Sequence, residues 1–205
     1  MKKRIINMVM KYIKKRTKYN KTELLEIEYG LTGIYLTFSK IIIISILSAI
    51  LGILKEMAIF MIIFNIIRTT AFGLHATKSW ICLISSLTFF ILLPIVCIYI
   101  HINLIGKIII GLLSILLIFK NAPADTYKRP IVSKKRRLVL KIISTCIAIC
   151  FVVISLIIKN NFLSNSFLFT LVLENCLISP YIYRLFNLPY NNYITYIKKH
   201  PEIVK

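Results

Sequence analysis

The sequence predicts an all-α polytopic membrane protein with about six transmembrane helices. Of its 205 residues, 58% are hydrophobic and the mean hydropathy is +0.81, whereas an ordinary soluble chain carries roughly 45–50% apolar residues. The apolar residues are gathered into long runs that Lys and Arg flank. We therefore attribute the net charge of +20 to membrane topology and contact with anionic lipids, and we expect no nucleic-acid partner.

Residues 2–18 predict a basic amphipathic helix that lies in the membrane interface. Apolar side chains recur at helical spacing, with Lys and Arg on the other side. The apolar positions are Ile5, Met8, Val9, Tyr12 and Ile13. Three of the seven acids follow within residues 22–33, and we interpret this segment as a solvated helix face with local ion pairs. The first 20 residues lack a continuous apolar core, so no cleavable signal peptide is expected.

Six apolar runs follow, and each predicts a transmembrane helix. They cover residues 36–54, 57–72, 81–102, 104–119, 138–158 and 162–183. A helix needs roughly 20 residues to cross the hydrocarbon core, so the shorter second and fourth runs predict tilted helices, a thinned bilayer or a cavity. We interpret the whole chain, 1–205, as one integral membrane domain. Its predicted parts are a cytoplasmic or interfacial segment (1–35), a transmembrane region (36–183) with a basic cytoplasmic loop (120–137), and a cytoplasmic tail (184–205).

The distribution of Lys and Arg predicts that both termini are cytoplasmic. With six spans, 24 of the 27 basic residues fall on the side that holds the termini, and the opposite side receives Lys55, Lys107 and Lys159. Lys and Arg favour the cytoplasm, so the junction at residues 68–80 is also expected at the cytoplasmic face, together with His75 and Cys82. A four-span arrangement with two interfacial segments would leave that junction on the same side.

A polar break between the second and third runs carries the candidate chemistry. His75 and Cys82 lie there, seven residues apart, and a neutral imidazole beside a thiol can take its proton and leave the nucleophilic thiolate. On one straight helix the two residues would be roughly 10.5 Å apart along the axis, too far for proton transfer. The chain must therefore bend between them, and Gly73 supplies backbone freedom just before the histidine.

Ser79 is a suitable N-cap for the third predicted helix. That cap would place Cys82 in the first turn, where the helix dipole and the unpaired N–H groups stabilise a thiolate. The same amides could stabilise the oxyanion of an attacked peptide carbonyl. Trp80 is expected to anchor the helix at the interface.

Two sequence blocks carry a family resemblance. The first consists of Arg68, then Phe72-Gly73-Leu74-His75-Ala76, then Cys82. The second, Asn121-Ala-Pro-Ala-Asp-Thr-Tyr-Lys-Arg-Pro-Ile131, is similar to the pattern Ala-Pro-Ala-Asp-Thr-x-Lys-x-Pro-Ile. Together, over roughly residues 29–180, they resemble the AgrB family, whose members are membrane cysteine endopeptidases that process the precursor of a cyclic quorum-sensing peptide.

The resemblance implies a mechanism and a substrate. His75 would deprotonate Cys82, which attacks a peptide carbonyl and forms an acyl-thioester while a C-terminal tail leaves. A cysteine of the substrate (or a serine, for a lactone) would then attack the thioester to give a thiolactone autoinducing peptide. The implied partner is an AgrD-like precursor with an amphipathic leader and an acidic tail. The resemblance also implies a homodimer, and no cofactor is expected.

Several further residues are supporting candidates. Arg68 holds the loop before His75, binds a substrate carboxylate, or anchors the second helix at lipid headgroups. Glu174 lies within the sixth run, where a carboxylate must face protein or water. A third catalytic residue is left open, because Asn65, Asp125 and Glu174 are all alternatives for orienting the imidazole.

The basic loop is a candidate docking surface for the acidic tail, as well as a contact for anionic lipids at roughly 1 kcal/mol per base. Its bases are Lys128, Arg129, Lys134, Lys135, Arg136 and Arg137. Asp125 is isolated among them, and either pairs with Arg129 or positions substrate.

Two non-catalytic functions remain as alternatives. A small membrane transporter or peptide exporter would need polar residues in several runs, and these are scarce. A membrane scaffold would need no reactive cysteine. The other four cysteines lie within apolar runs and are interpreted as small hydrophobes; they are Cys97, Cys146, Cys150 and Cys176. The spacing indicates neither a disulfide framework nor a metal site.

Overall fold

A computed structural model describes residues 2–16, 19–74, 79–126 and 130–200. Within these ranges the chain is built of helices, with no strand, and Phe72 and Ala124 form an isolated β-bridge. Two compact units divide the chain, Met1–Leu51 and Gly52–Lys205.

Ten α-helices and one π-helical segment are present in the described part of the chain. The helices are α1 (Lys2–Arg16), α2 (Lys21–Ile50), α3 (Leu54–Ala71), α4 (Ser79–Leu87), α5 (Leu93–Tyr99), α6 (Leu104–Asn121), α7 (Lys134–Ile157), α8 (Asn161–Ile178), α9 (Pro180–Leu185) and α10 (Asn192–Lys199). The π-helical segment, Thr88–Leu92, joins α4 to α5. It ends two residues before Pro94, which lies in the first turn of α5, and a proline lacks the N–H group that would continue regular α-helical bonding.

The first unit consists of the basic helix α1 and the long helix α2. The N–H group of Asn20 donates to the Glu23 carboxylate at 2.7 Å, which caps the start of α2. The predicted acidic segment 22–33 and most of the first apolar run form this one helix of 30 residues. Its length of about 45 Å exceeds the hydrocarbon thickness of about 30 Å, so its polar first turns extend past its apolar part.

The described helices confirm the predicted all-α polytopic membrane fold. Five continuous helical spans are long and apolar enough to cross a membrane: Thr22–Ile50, Trp80–Tyr99, Leu104–Asn121, Lys134–Ile157 and Asn161–Ile178. The second of these consists of α4, the π-helical segment and α5. Helix α3 corresponds to the second predicted run but falls outside this set. It carries three charged residues, Lys55, Glu56 and Arg68, within its 18 residues, whereas each of the five spans contains a stretch of 18 residues with at most two.

The last predicted run, 162–183, is divided into two helices. Helix α8 ends at Ile178, and α9 begins at Pro180. The residue before a proline is disfavoured in the helical conformation, and Ser179 accordingly adopts an extended backbone, with its hydroxyl accepting from the Tyr181 N–H group at 3.3 Å.

Helix α8 lies at the centre of the second unit and packs against α3, α5, α6 and α7. The larger core cluster joins four of these helices to the loop after α6. Its buried members are Ile63, Ile67, Ala71, Ile118, Ala122, Ala124, Ala148, Phe151, Val152, Leu171, Ile178 and Tyr183. A second cluster, formed by Phe60, Phe64, Cys97 and Leu173, packs α3 and α8 against α5. The outer faces of these helices expose many large apolar side chains, as expected of surfaces that contact lipid.

Candidate functional site

The two sequence blocks that carry the resemblance are joined by backbone hydrogen bonds. Phe72 and Ala124 form a parallel β-bridge. The Gly73 N–H group donates to the Ala124 carbonyl at 2.8 Å, and the Ala124 N–H group donates to the Ala71 carbonyl at 3.0 Å. The end of α3 and the loop after α6 are therefore held together at the position where the chain leads into His75.

The turn after α3 requires a glycine. Phe72 and Gly73 both have positive φ, at 60° and 102°. Residues other than glycine rarely adopt this backbone conformation. A Cβ atom on Gly73 would lie 2.5 Å from the Arg68 guanidinium and 2.8 Å from the Leu177 carbonyl oxygen. Helix α8 thus approaches the turn directly, and the Leu74 N–H group donates to that same carbonyl at 2.9 Å.

Arg68 ties this turn to α8. Its guanidinium donates to the Phe72 carbonyl, and to the Leu74 carbonyl at 2.6 Å. It also forms an ion pair with Glu174, with 3.3 Å between Nη1 and Oε1. The Arg68 side chain is 16% exposed and that of Glu174 is fully buried. The guanidinium therefore faces the protein and the segment that leads to His75.

Glu174 belongs to a row of polar side chains along the buried face of α8. Ser166, Thr170 and Glu174 are spaced by four residues, and all three are buried. The neighbouring Asn175 side chain donates to the Ser114 carbonyl of α6 at 3.3 Å. Adjacent residues of α8 therefore bridge to α3 on one side and to α6 on the other.

Cys82 is the fourth residue of α4, which begins at Ser79 itself, one residue earlier than predicted. Its side chain is half-buried, and its carbonyl accepts from the Ser85 hydroxyl at 3.2 Å. The first four N–H groups of a helix have no partner within it, so Cys82 lies in the turn with these donors. The Trp80 side chain is exposed. His75 lies outside the described residues, so the distance between imidazole and thiol stays a prediction.

Asp125, in the second block, binds the C-terminal segment. Its buried carboxylate accepts from the N–H groups of Asn192 at 2.9 Å, Tyr193 at 2.7 Å and Ile131 at 3.4 Å. Burial raises the pKa of the Asp125 carboxyl, while these hydrogen bonds and the nearby charge of Arg137 oppose the rise. The carboxylate therefore caps the start of α10.

The bases of the loop are placed differently from one another. Lys134, Lys135 and Arg136 are exposed in the first turn of α7. Arg137 instead lies over the Tyr193 ring, 3.4 Å from its centroid. Lys128 and Arg129 lie outside the described residues, as does the predicted pair between Arg129 and Asp125.

The contribution of the C-terminal segment was not predicted. Besides Asn192 and Tyr193, the Tyr183 hydroxyl donates to the Asp125 carbonyl at 3.2 Å, and the Tyr183 and Tyr190 rings pack edge to face. The concentration of tyrosine and asparagine after Pro189 was the available signal, since such side chains cap turns and bind backbone groups. Nothing in local spacing, however, indicated Asp125 as the partner.

Comparison with known proteins identifies similar chains. A model of the family AgrB, accessory gene regulator B, matches residues 4–179. A putative AgrB-like protein of Clostridium acetobutylicum is 29% identical over 190 residues, which cover 93% of this chain and 91% of that protein. Accessory gene regulator protein B of Staphylococcus aureus strain MRSA252 is 35% identical over 147 residues, covering 70% and 79%. The protein of that name from strain Newman is 33% identical over 159 residues, covering 77% and 82%. No solved structure matches this chain.

Proposed function

This chain belongs to the accessory gene regulator B (AgrB) family, and from that premise we propose that it is a membrane cysteine endopeptidase. Its substrate is an AgrD-like precursor peptide of the agr quorum-sensing system, from which it removes a C-terminal tail. The observation that supports this most directly is the joining of the two family blocks, through Phe72 and Ala124, at the turn before His75.

The proposed reaction has two steps. In the first, His75 accepts the Cys82 thiol proton, the sulfur bonds to a peptide carbonyl carbon, and the C–N bond breaks as His75 returns the proton to the departing amine. The precursor is then held as a thioester on Cys82. In the second step, a thiol of the precursor attacks this thioester and releases Cys82, which closes a thiolactone ring.

The position of Cys82 supports the role of nucleophile. It lies in the first turn of α4, where the helix dipole stabilises both a thiolate and the oxyanion of the tetrahedral intermediate. The thiol is half-buried at the start of an apolar helix. Exclusion of water there would favour ring closure over hydrolysis.

The start of α7 is the proposed docking surface for the acidic tail of the precursor. Lys134, Lys135 and Arg136 are exposed in its first turn, where the helix dipole disfavours cations. An external anion would relieve that unfavourable arrangement. We place this surface and the active site at the cytoplasmic face, as the distribution of Lys and Arg predicts.

Replacement of the proposed dyad tests this function. Cys82→Ala and His75→Ala should each abolish cleavage of the cognate precursor without changing insertion into the membrane. Mass analysis of the products measures the cleavage. Cys146→Ala is the matched control, because Cys146 is an exposed cysteine of α7 and should have no effect. Cleavage that survives both dyad replacements would remove the cysteine mechanism.

A further inference from the structure

Glu174 is the buried partner of the arginine that holds the turn before His75. Its side chain is fully buried, and its Oε1 atom lies 3.3 Å from Arg68 Nη1. Its Oε2 atom has no hydrogen-bond partner among the described residues. The same guanidinium donates to the carbonyls of Phe72 and Leu74. The contacts of the carboxylate therefore lead, through Arg68, to Leu74, the residue that precedes the proposed general base in the sequence.

We propose that Glu174 is a positioning residue of the reaction. It orients the Arg68 guanidinium, which fixes the backbone of residues 72–74 and so sets the approach of the His75 imidazole to Cys82. This role rests on the proposed cysteine peptidase function and assigns the residue that acts behind the dyad. Glu174 is not itself placed against the substrate.

The geometry of the guanidinium explains why a carboxylate is needed. Its donors lie in one plane in a rigid fork, and two backbone carbonyls alone leave that plane free to tilt. The charge-assisted contact with Glu174 supplies a third point, which comes from a different helix. Lysine carries the same charge but lacks the fork, so it could not hold both carbonyls and the carboxylate together.

The cost of this arrangement supports a functional role. A carboxylate inside a membrane-spanning helix is expensive, and a buried ion pair is seldom more stabilising than a well-packed apolar pair of similar size. Here one carboxylate oxygen also has no hydrogen-bond partner among the residues that the structure describes. Stability alone therefore does not account for the pair, whereas positioning of the turn does.

The other two residues considered for orienting the imidazole are engaged elsewhere. Both carboxylate oxygens of Asp125 accept backbone N–H groups, two at the start of α10 and one from Ile131. Asn65 is exposed, and its side chain donates to the Met61 carbonyl within its own helix. Of the three, Glu174 is the residue that contacts Arg68.

The test measures alkylation of Cys82 by iodoacetamide in the full-length protein in lipid vesicles. Cys97, Cys146, Cys150 and Cys176 are replaced by alanine so that one thiol reports. Removal of base assistance by His75→Ala should slow the reaction at least about ten-fold. Glu174→Gln should slow it to a similar extent, because the imidazole is no longer held beside the thiol, and Glu174→Asp should recover part of the rate.

A double-mutant comparison shows whether Glu174 acts through Arg68. In an Arg68→Gln background, Glu174→Gln should cause no further loss of rate, since the contact it removes is already absent. Asn175→Ala is the matched control, because it removes a different interhelical contact of α8, with the Ser114 carbonyl, and should alkylate at the wild-type rate.

Each remaining outcome decides against one of the claims. If His75→Ala slows the alkylation of Cys82 and Glu174→Gln leaves its rate unchanged, the positioning role is overturned and the dyad stands. An alkylation rate that His75→Ala leaves unchanged would overturn the dyad itself. Equal losses from Glu174→Gln in both backgrounds would show that Glu174 does not act through Arg68. Should Glu174→Gln fail to insert, Arg68→Lys, which keeps the charge but not the fork, must show the same slow alkylation.

Discussion

At the level of single residues, Gly73 shows how little space the turn before His75 leaves. Its φ of +102° excludes most side chains, and a Cβ atom there would clash with both the Arg68 guanidinium and the Leu177 carbonyl oxygen of α8. The Arg68 guanidinium is held by three contacts, and the Leu177 carbonyl belongs to the backbone of α8, so neither group can easily move away from an added side chain. The glycine therefore serves two purposes, since it permits the turn and allows the ion-paired arginine to lie against it.

We expect Gly73→Ala to lower precursor cleavage by on the order of 100-fold, the loss typical of a misplaced catalytic group. The backbone strain should also cost about 1–3 kcal/mol of stability. Cleavage rate and thermal unfolding in vesicles would measure the two effects. Gly52→Ala is the matched control: Gly52 also has positive φ, at 70°, but nothing lies within 4 Å of its added Cβ. It should share the strain and keep the activity; equal cleavage by the two variants would contradict the steric argument.

At the level of elements, α10 is attached to the core by a polar residue. Asp125 accepts the first N–H groups of this helix, and the Arg137 guanidinium packs on the Tyr193 ring. A helix of eight residues is too short to be stable alone in water, so its position depends on these contacts. The second family block thus holds the turn before His75 through its backbone, and α10 through its carboxylate.

Asp125→Ala should release α10, because it leaves buried N–H groups without an acceptor at about 1–3 kcal/mol each. Limited proteolysis of the protein in vesicles should then cut faster between residues 187 and 200. Asp125→Asn keeps one acceptor oxygen and should show a smaller increase. Tyr190→Phe, which removes only a 3.5 Å hydrogen bond to the Asn121 carbonyl, serves as the control. An unaltered cleavage pattern in Asp125→Ala would show that α10 is held by other contacts.

At the level of the whole molecule, the charge distribution and the helices together predict the topology. The helices that are long and apolar enough to cross a membrane account for five of the six predicted runs, and α3 for the remaining one. The 24 bases predicted on the side of the termini outnumber the three on the other side. An anionic inner leaflet would attract the first set, so both termini and the proposed site are expected to face the cytoplasm.

Labelling of intact cells with a membrane-impermeant thiol reagent checks this orientation. In a background without the native cysteines, Lys159→Cys should be labelled from outside, because Lys159 is exposed in the turn between α7 and α8. Lys198→Cys, which is exposed in α10, should be labelled only after the cells are opened. The reverse pattern would place the termini and the proposed site outside the cell.

The sequence by itself determined the fold class, the approximate spans and the family. The hydrophobicity of a segment depends only on its own residues. A long apolar run therefore predicts a membrane helix without information on tertiary contacts. The predicted helix ends were less exact at two positions. Pro180 ends α8 within the last apolar run, and α2 begins in the polar segment before the first apolar run. The short motifs around Gly73 and Asp125 could be recognised because each is contiguous.

Only the tertiary structure decided which polar groups meet. Arg68 and Glu174 are 106 residues apart, and Asp125 and Asn192 are 67 apart. From spacing alone, Asn65, Asp125 and Glu174 were equivalent alternatives for a residue behind His75. Their partners depend on how α3, α8 and α10 pack. A contact between side chains of two helices produces no periodic or compositional pattern in the sequence. The contact of Arg68 with Glu174 therefore follows from the packing of α3 against α8 and not from any pattern in the sequence.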